Sequence, residues 1–470
     1  MIRTSLNIIS EISLNESLID SWTQIPVTLT QEQTKALLKS LKQSVFFDSG
    51  ADLTRGQFDI LTGEPLSISR LNKSHHSKNE KEYLPIYSSP FNRDCLKIPE
   101  MFRNLPFVCG MVGFCSYEFG AEKVIKNPKL LDNSNLPSAF FAHYTWSYIY
   151  NRKTKQGFIT FSPECSIEIR QKVVNLINNS ALEKERDNKN LAIQLSWQKT
   201  QNFKCYSDSF KKTLNYIKEG DCYQVNLTQR FECDFDTDPC ELYFDLRQNL
   251  NTPYSAYFSF LDDQQILCFS PEQFIGIKDK KIKTSPIKGT AINFGNEISE
   301  KEGEAEGATE LQNSLKNQAE NLMIVDLMRN DLSKVCRLNS VKVNKLFKLK
   351  SFKNVHHLIS EIEGVLKPEI DEINAFFSCF PGGSITGAPK KRAMEIINEL
   401  EPSGRDAYCG SIFYWNDDGQ FDSNILIRTI VHSENKLYCW GGGGIVNDST
   451  VEAEYKESLI KVANLTGIES

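Results

Sequence analysis

The sequence contains no run of about 18 uninterrupted apolar residues, the length a helix needs to cross a bilayer, so no membrane span is expected. A basic surplus is also missing. The formal net charge is −6, which argues against nucleic acid as the main partner, because phosphate binding requires a basic face. Histidine is scarce, with six residues, and the thirteen cysteines include no Cys-x-x-Cys pair. An odd number of scattered cysteines, with no sustained apolar stretch over Met1 to Ser10, reads as reduced cytoplasmic thiols. It gives no support to a disulfide framework or a zinc site. Low-complexity tracts and repeats of fixed period are absent as well. What is present is ordinary for a globular chain: 40 % hydrophobic and 24 % charged residues over a length of 470, far above that needed for a self-sufficient core. The expectation is a soluble cytoplasmic enzyme.

Texture divides the chain into residues 1–200 and 201–470. The first part mixes strand-like runs with polar loops such as Leu71 to Glu82. In Tyr144 to Tyr150 aromatics recur at every second position, as in a strand with one buried face. Ser180 to Leu191 is charged and poor in large apolar residues, and reads as an exposed connection. The second part opens with a helix over Tyr206 to Glu219, with Phe210, Leu214 and Ile217 on one stripe. Strands are expected over Cys222–Phe231, Ala256–Leu261, Ile266–Phe269 and Phe274–Lys278. A long helix follows over Ala308–Arg329, stopped by Asn330-Asp331, and a last one covers Thr450–Val462. Asn317 and Glu320 share a face of the long helix, and Glu454, Glu457 and Lys461 share a face of the last. Carboxylates on two helices suit a hard cation such as Mg²⁺, which takes few protein ligands; two solvated helix faces are the alternative.

Five local features carry chemistry. Lys288 lies in the short turn Ser285-Pro-Ile-Lys-Gly-Thr290, downstream of Ser270-Pro-Glu272, where an amine beside acids is either a nucleophile or a clamp for an anion. The loop Pro381 to Lys391, leading into a helix over Arg392–Leu400, is either an anion cradle or a tight turn; it lacks the spacing of a Walker loop. Gly441 to Gly444, after a strand over Leu437–Trp440, marks a close approach of the backbone to a ligand carboxylate, or else a bulge at a barrel corner. Arg428, on a strand between apolar neighbours, pairs with an internal acid or awaits a ligand carboxylate. His357 is open to a structural or a catalytic role.

These segments together resemble the chorismate-utilising enzymes. The matching strings are Asp221-Cys-Tyr-Gln-Val-Asn, Ser270-Pro-Glu, Pro286-Ile-Lys-Gly-Thr, Ala319 to Asp331, Ser384 to Lys390, Tyr408-Cys-Gly-Ser-Ile, Ile427-Arg-Thr and Gly441 through Glu457. They occur in the family's order across roughly residues 200–465, while residues 1–200 match more loosely. The resemblance implies an α+β fold with large, mostly antiparallel sheets packed together and helices outside. Residues 1–200 would be integrated into the same unit, with 201–470 as the chorismate-binding catalytic region.

Two positions choose among members of the family. Those that add water carry a Lys at the place of Gln224, so this chain resembles the ammonia users. Those that form anthranilate usually have Ala at the place of Lys288, so the resemblance implies amination at C4 of chorismate. The product would be 4-amino-4-deoxychorismate, which a separate lyase turns into 4-aminobenzoate for folate. No glutaminase domain follows the last motif, and ammonia is expected from a separate glutamine amidotransferase in a heterodimer. An anthranilate-forming enzyme is the nearest alternative, and a non-catalytic binder of an aromatic metabolite is the alternative of another class.

By the same resemblance Lys288 is the nucleophile, Glu272 the general acid, and His357 and Thr290 stand beside the ring. Glu320 and Glu457 hold Mg²⁺, with Glu454 and Asn317 around them; relatives usually carry an acid at Asn317, which implies a weaker metal site. Tyr408, Arg428, Gly442, Gly444, Lys461 and Gln224 contact the substrate. Members of the family hold tryptophan near segments resembling those of Ser49, Pro253 and Tyr254, which implies a tryptophan pocket in the N-terminal half.

Overall fold

Runs such as Tyr254–Leu261 and Gln264–Ser270, apolar on both faces, are strands meant for burial on two sides. In the computed structural model, which describes residues 21–50, 56–73, 96–130, 134–182, 193, 195–250, 252–261, 263–292, 309, 311–351 and 355–468, they belong to two large sheets. The first has 12 strands, in the order Thr23–Pro26, Gln156–Phe161, Trp146–Asn151, Phe58–Thr62, Val45–Asp48, Tyr254–Leu261, Gln264–Ser270, Thr429–Ser433, Lys436–Ile445, Gln224–Asp234 and Gly387–Ala388, with Gln198–Lys199 beside Gln224–Asp234. The second has 10, in the order Ile287–Ile292, Val355–Val365, Lys281–Thr284, Gln273–Lys278, Phe421–Asn424, Ser411–Asn416, Gly110–Cys115, Ala139–Tyr144 and Ser67–Leu71, with Lys342–Ser351 beside Val355–Val365. All these pairings are antiparallel. With the helices outside, the architecture is the α+β one expected.

Each sheet takes strands from both sides of residue 200. In the first, the seam is the pair Val45–Asp48 and Tyr254–Leu261, with Asp48 opposite Ser255. In the second it is Gly110–Cys115 against Ser411–Asn416. The inner faces meet through phenylalanines packed edge to face: Phe140 on Phe258 at 5.5 Å and Phe114 on Phe260 at 5.2 Å. Burying each such ring stabilises the fold by about 1.5–3 kcal/mol. A second core covers the outer face of the first sheet, where Leu37, Val173, Ile177, Leu459 and Val462 from surrounding helices pack on Leu267 and Cys439. Among the described residues twelve cysteines are free thiols and only Cys205 is exposed. No described helix is long and apolar enough to cross a membrane.

Several expectations need correction. The aromatic run Tyr144–Tyr150 is not one strand with one buried face. The chain leaves the second sheet after Tyr144 and enters the first at Trp146, and Ser147 and Ile149 are as buried as Trp146 because helices cover the far side. The long helix spans Leu315–Val335: Ser314 caps its start by accepting from Asn317 N, and the helix continues through Asn330-Asp331 because Asp331 is buried and paired with Lys334 and Lys390. The helix expected from Tyr206 starts at Phe203, capped by Asn202. The glycine run does not follow a strand but lies within one, Lys436–Ile445. Arg428 precedes its strand, with a left-handed backbone of φ 50°. Most of the loop expected over Leu71–Glu82, the connection beyond Leu182 and Ala308 lie outside the described residues.

Candidate active site

Lys288 stands at a bulge. The pairing of Ile287–Ile292 with Val355–Val365 slips between Lys288 and Thr290, and Gly289 between them has φ 80°, a conformation that favours glycine. A side chain at Gly289 would also press on Leu311 and come within 3.2 Å of the Asn317 amide carbon, so Asn317 packs directly on the lysine turn. Register sets buried His357 opposite Thr290, whose side chain lies outside the described residues. Lys288 is half-buried, and its Nζ donates to the carbonyl of Ser384 at 3.2 Å. Burial pushes its pKa below the ordinary lysine range; Glu320 opposes this, Lys461 adds to it, and Glu272 and Glu457 oppose it more weakly. The four charged groups that act on this amine come from three separate elements, and all four are residues the resemblance selected.

Glu272 is buried at the end of strand Gln264–Ser270. Ser270 Oγ accepts from its N–H at 3.1 Å, its carbonyl accepts from Ile425 N at 3.2 Å, and Ser384 Oγ donates to its Oε1 at 2.9 Å. The helix bearing Glu320 is tied to the lysine's neighbouring strand by Asn321, which accepts from Ser360 Oγ at 2.6 Å and donates to the Leu358 carbonyl at 3.4 Å. Across the site, Lys461 bridges Glu457 Oε1 at 2.7 Å and the Gly442 carbonyl at 2.9 Å. Glu454 is buried and accepts from Ser449 Oγ at 2.7 Å.

The glycine run is explained by this packing. A Cβ at Gly441 would collide with the Ser458 carbonyl and one at Gly442 with Thr228; one at Gly443 would lie 2.9 Å from Glu454 Oε2, and one at Gly444 would land on the Gln224 amide. The run is closely approached by the last helix and by the strand Gln224–Asp234. In the loop Pro381–Lys391 the carbonyls of Ala388 and Thr386 accept from Tyr223 N and Asn226 N, and Lys390 is bound to Asp331 Oδ2 at 2.5 Å and to the carbonyls of Cys379 and Pro381.

Arg428 has no carboxylate partner among the described residues, and burial alone draws its pKa below the usual arginine range. Its carbonyl accepts from Phe269 N at 3.0 Å, which places it against the strand Gln264–Ser270, two residues before Glu272. Tyr408 is buried, with its ring stacked on Trp440 at 6.0 Å, just before the glycine run. Burial pushes its phenol well above the usual range, so it stays a neutral donor. Ser49, Pro253 and Tyr254 are brought together elsewhere. They line a cavity of about 210 Å³ at the seam of the first sheet with Asp48, Tyr414 and Asp422.

Sequence reasoning gave no role to Ser384 or Asn321, although both lie in its matching strings, and it missed the buried pair Glu401–Arg405. Arg405 donates to both Glu401 oxygens and to the carbonyls of Ile385 and Asn226, while Glu401 accepts from Thr228 N, which fixes the start of Tyr408's segment against the strand Gln224–Asp234. The i,i+4 spacing of Glu401 and Arg405 just before Tyr408 was the available signal.

A lysine drawn toward its neutral form, a buried acid, an arginine without a carboxylate partner among the described residues and carboxylates on two helices between packed antiparallel sheets define an enzyme that handles a small anionic substrate. Residues 42–467 match the model of the chorismate binding enzyme family, and the chain belongs to that family. It is 35 % identical over 435 residues to aminodeoxychorismate synthase component 1 of Escherichia coli, covering 90 % of this chain and 93 % of that one. It is 38 % identical over 405 residues to the protein of the same name from Salmonella typhimurium, covering 86 % and 84 %. The crystal structure of anthranilate synthase component I from Streptococcus pneumoniae is similar with a TM-score of 0.74 at 26 % identity, covering 87 % of this chain and 92 % of that one.

Proposed function

We propose that this chain aminates chorismate at C4, forming 4-amino-4-deoxychorismate on the route to 4-aminobenzoate and folate, as the chorismate-binding component of an aminodeoxychorismate synthase. The observation that carries the reading is the amine of Lys288, drawn toward its neutral form by burial and close to Glu272, Glu320 and Glu457. A free lysine is neutral in only about one part in 2,500 at pH 7, so this lowering is what makes the amine a usable nucleophile. Similarity to two proteins named for this activity supports the same reading.

Arg428 supplies the planar fork for a substrate carboxylate, with Tyr408 as a neutral donor. Lys288 adds at C2 while the ring double bond shifts toward C4. The C4 hydroxyl takes a proton from Glu272 and leaves as water. Ammonia then adds at C4, the double bond shifts back, and Lys288 departs from C2. Glu272 recovers its proton from the new ammonium group. His357 and Gln224 flank the ring.

Mg²⁺ fits the donor set. Glu320 and Glu457 offer hard oxygens from two helices, with Glu454 behind Glu457 against Gly443. Among the described residues no cluster of three or more metal-binding side chains is gathered. When bound, the ion supplies positive charge against the ring carboxylate. Glu320→Gln or Glu457→Gln should abolish Mg²⁺-supported turnover with the fold intact by circular dichroism, and full activity in excess chelator would remove the metal from the reading. We place the enzyme in the cytoplasm, where its free thiols stay reduced, with ammonia supplied by a separate glutamine amidotransferase and tryptophan as the occupant of the seam cavity.

The deciding experiment incubates the purified chain with chorismate, Mg²⁺ and ammonium and identifies the product by mass. 4-Amino-4-deoxychorismate is expected; fluorescent anthranilate would assign the rival chemistry, and untouched chorismate would leave only a binding role.

A further inference from the structure

Ser384 touches both reacting side chains. Its hydroxyl donates to Glu272 Oε1 at 2.9 Å and its carbonyl accepts from Lys288 Nζ at 3.2 Å. The residue is buried in the middle of a tight turn, Gly383–Ile385. That turn is held from several directions. Thr386 Oγ1 donates to Gly382 O at 3.0 Å, Lys390 Nζ to Pro381 O at 2.9 Å, and Gly383 packs so closely on Leu327 of the Glu320 helix that a Cβ would come within 2.5 Å of it.

We propose that Ser384 is a positioning residue that orients the general acid and the nucleophile together, an inference that rests on the amination reading above. A hydroxyl has one proton to give. With that proton donated to Glu272 Oε1, this oxygen is the acceptor, and the proton of the neutral carboxyl resides on Oε2. The acid therefore presents a single donor direction to the departing C4 hydroxyl. The carbonyl works in the opposite sense. It can only accept, so it takes one N–H of Lys288, and the lone pair of the neutral amine points away from Ser384 toward the space where C2 must lie. Neither contact adds a charge to the site.

The step served in this way balances. The lone pair of Lys288 forms the C2–N bond, the double-bond electrons shift toward C4, the C4–O bond breaks, and the oxygen leaves as water with the Oε2 proton. A misdirected acid leaves substrate binding untouched and slows that bond cleavage. The effect belongs in kcat and not in KM.

The test compares wild type, Ser384→Ala and Ser384→Thr in steady-state amination of chorismate with ammonium. Ser384→Ala should lower kcat by about 10–100-fold, part of what a general acid contributes, with the chorismate KM within about twofold. Ser384→Thr keeps the hydroxyl and should return kcat to within about threefold of wild type. An alanine variant with wild-type kcat, a loss confined to KM, or a threonine variant as slow as alanine would each overturn the assignment. If Ser384→Ala does not fold, Ser384→Cys, with a similar shape and a weak donor, is judged by the same two constants. Failure of wild type itself to aminate chorismate is read before any variant, and it removes the underlying reading and this proposal together.

Discussion

Lys390 and Lys288 both donate to carbonyls of the segment around Gly383 and end in different surroundings. Lys390 Nζ meets Asp331 Oδ2 at 2.5 Å and two carbonyls at 3.0 and 2.9 Å, so its donors are used up. Lys288 Nζ has among the described residues one hydrogen bond, to a neutral carbonyl at 3.2 Å. Two arginines differ in the same way. Arg405 is fully engaged by Glu401 and two carbonyls, whereas Arg428 is enclosed without a carboxylate among the described residues. A saturated buried cation is a fastener. An unsaturated one carries a cost that only a ligand or a reaction relieves. That contrast separates structure from chemistry within one stretch of about 50 residues, in which all four cations lie or make their contacts.

The contrast is open to direct attack. Its largest expected effect is Lys288→Arg, which keeps the charge but has no neutral form at accessible pH; amination should fall by about 10³-fold or more in a coupled assay. Wild-type activity in that variant would turn the lysine back into a clamp. Arg405→Met should instead cost about 3–5 kcal/mol in denaturant unfolding, because it leaves Glu401 buried without its partner; unchanged stability would deny the fastener role. Arg428→Lys should raise the chorismate KM by about tenfold, through loss of the planar fork, with little change in melting temperature. An unchanged KM would take the substrate carboxylate away from this residue.

The smallest effect has a definite sign. Because the folded pKa of Lys288 is lowered, the folded protein binds fewer protons than the unfolded chain between that pKa and about 10.4. Stability due to this group therefore rises with pH across that window, and the full cost of burying the charge is felt below it. Lys288→Met should melt slightly higher than wild type at neutral pH, with the gap narrowing as pH rises. A variant that melts lower throughout would mean that the amine is a fastener after all.

The long, strongly patterned elements were legible in the sequence. The stripe of Phe210, Leu214 and Ile217 placed its helix to within three residues, and the motif strings brought Lys288, Glu320, Glu457 and Lys461 to one site. What sequence could not supply were contacts between distant residues. The pairing of Asp48 with Ser255 and of Met111 with Trp415 decides how the sheets are joined, and no local pattern encodes it. The glycine run was read one element too late because its reason, the Ser458 carbonyl pressed on Gly441, lies on the next helix. Arg428 looked like a strand residue from its apolar neighbours, yet its left-handed backbone is fixed by the tertiary setting. Ser384 opens one of the matching strings, yet it had no role there, because its contacts are with Glu272 and Lys288, distant in sequence.

The buried cysteines give the molecule a clock. Burial pushes the thiols of Cys268, Cys409 and Cys439 up to about 12, so in the folded state they are almost never thiolates and a maleimide cannot reach them. Among the described thiols Cys205 alone should react at the rate of a free cysteine. Each further adduct mapped to a described, buried cysteine would then record a passing opening of the sheets, and the order in which those adducts accumulate would rank the parts of the molecule by how often they come apart.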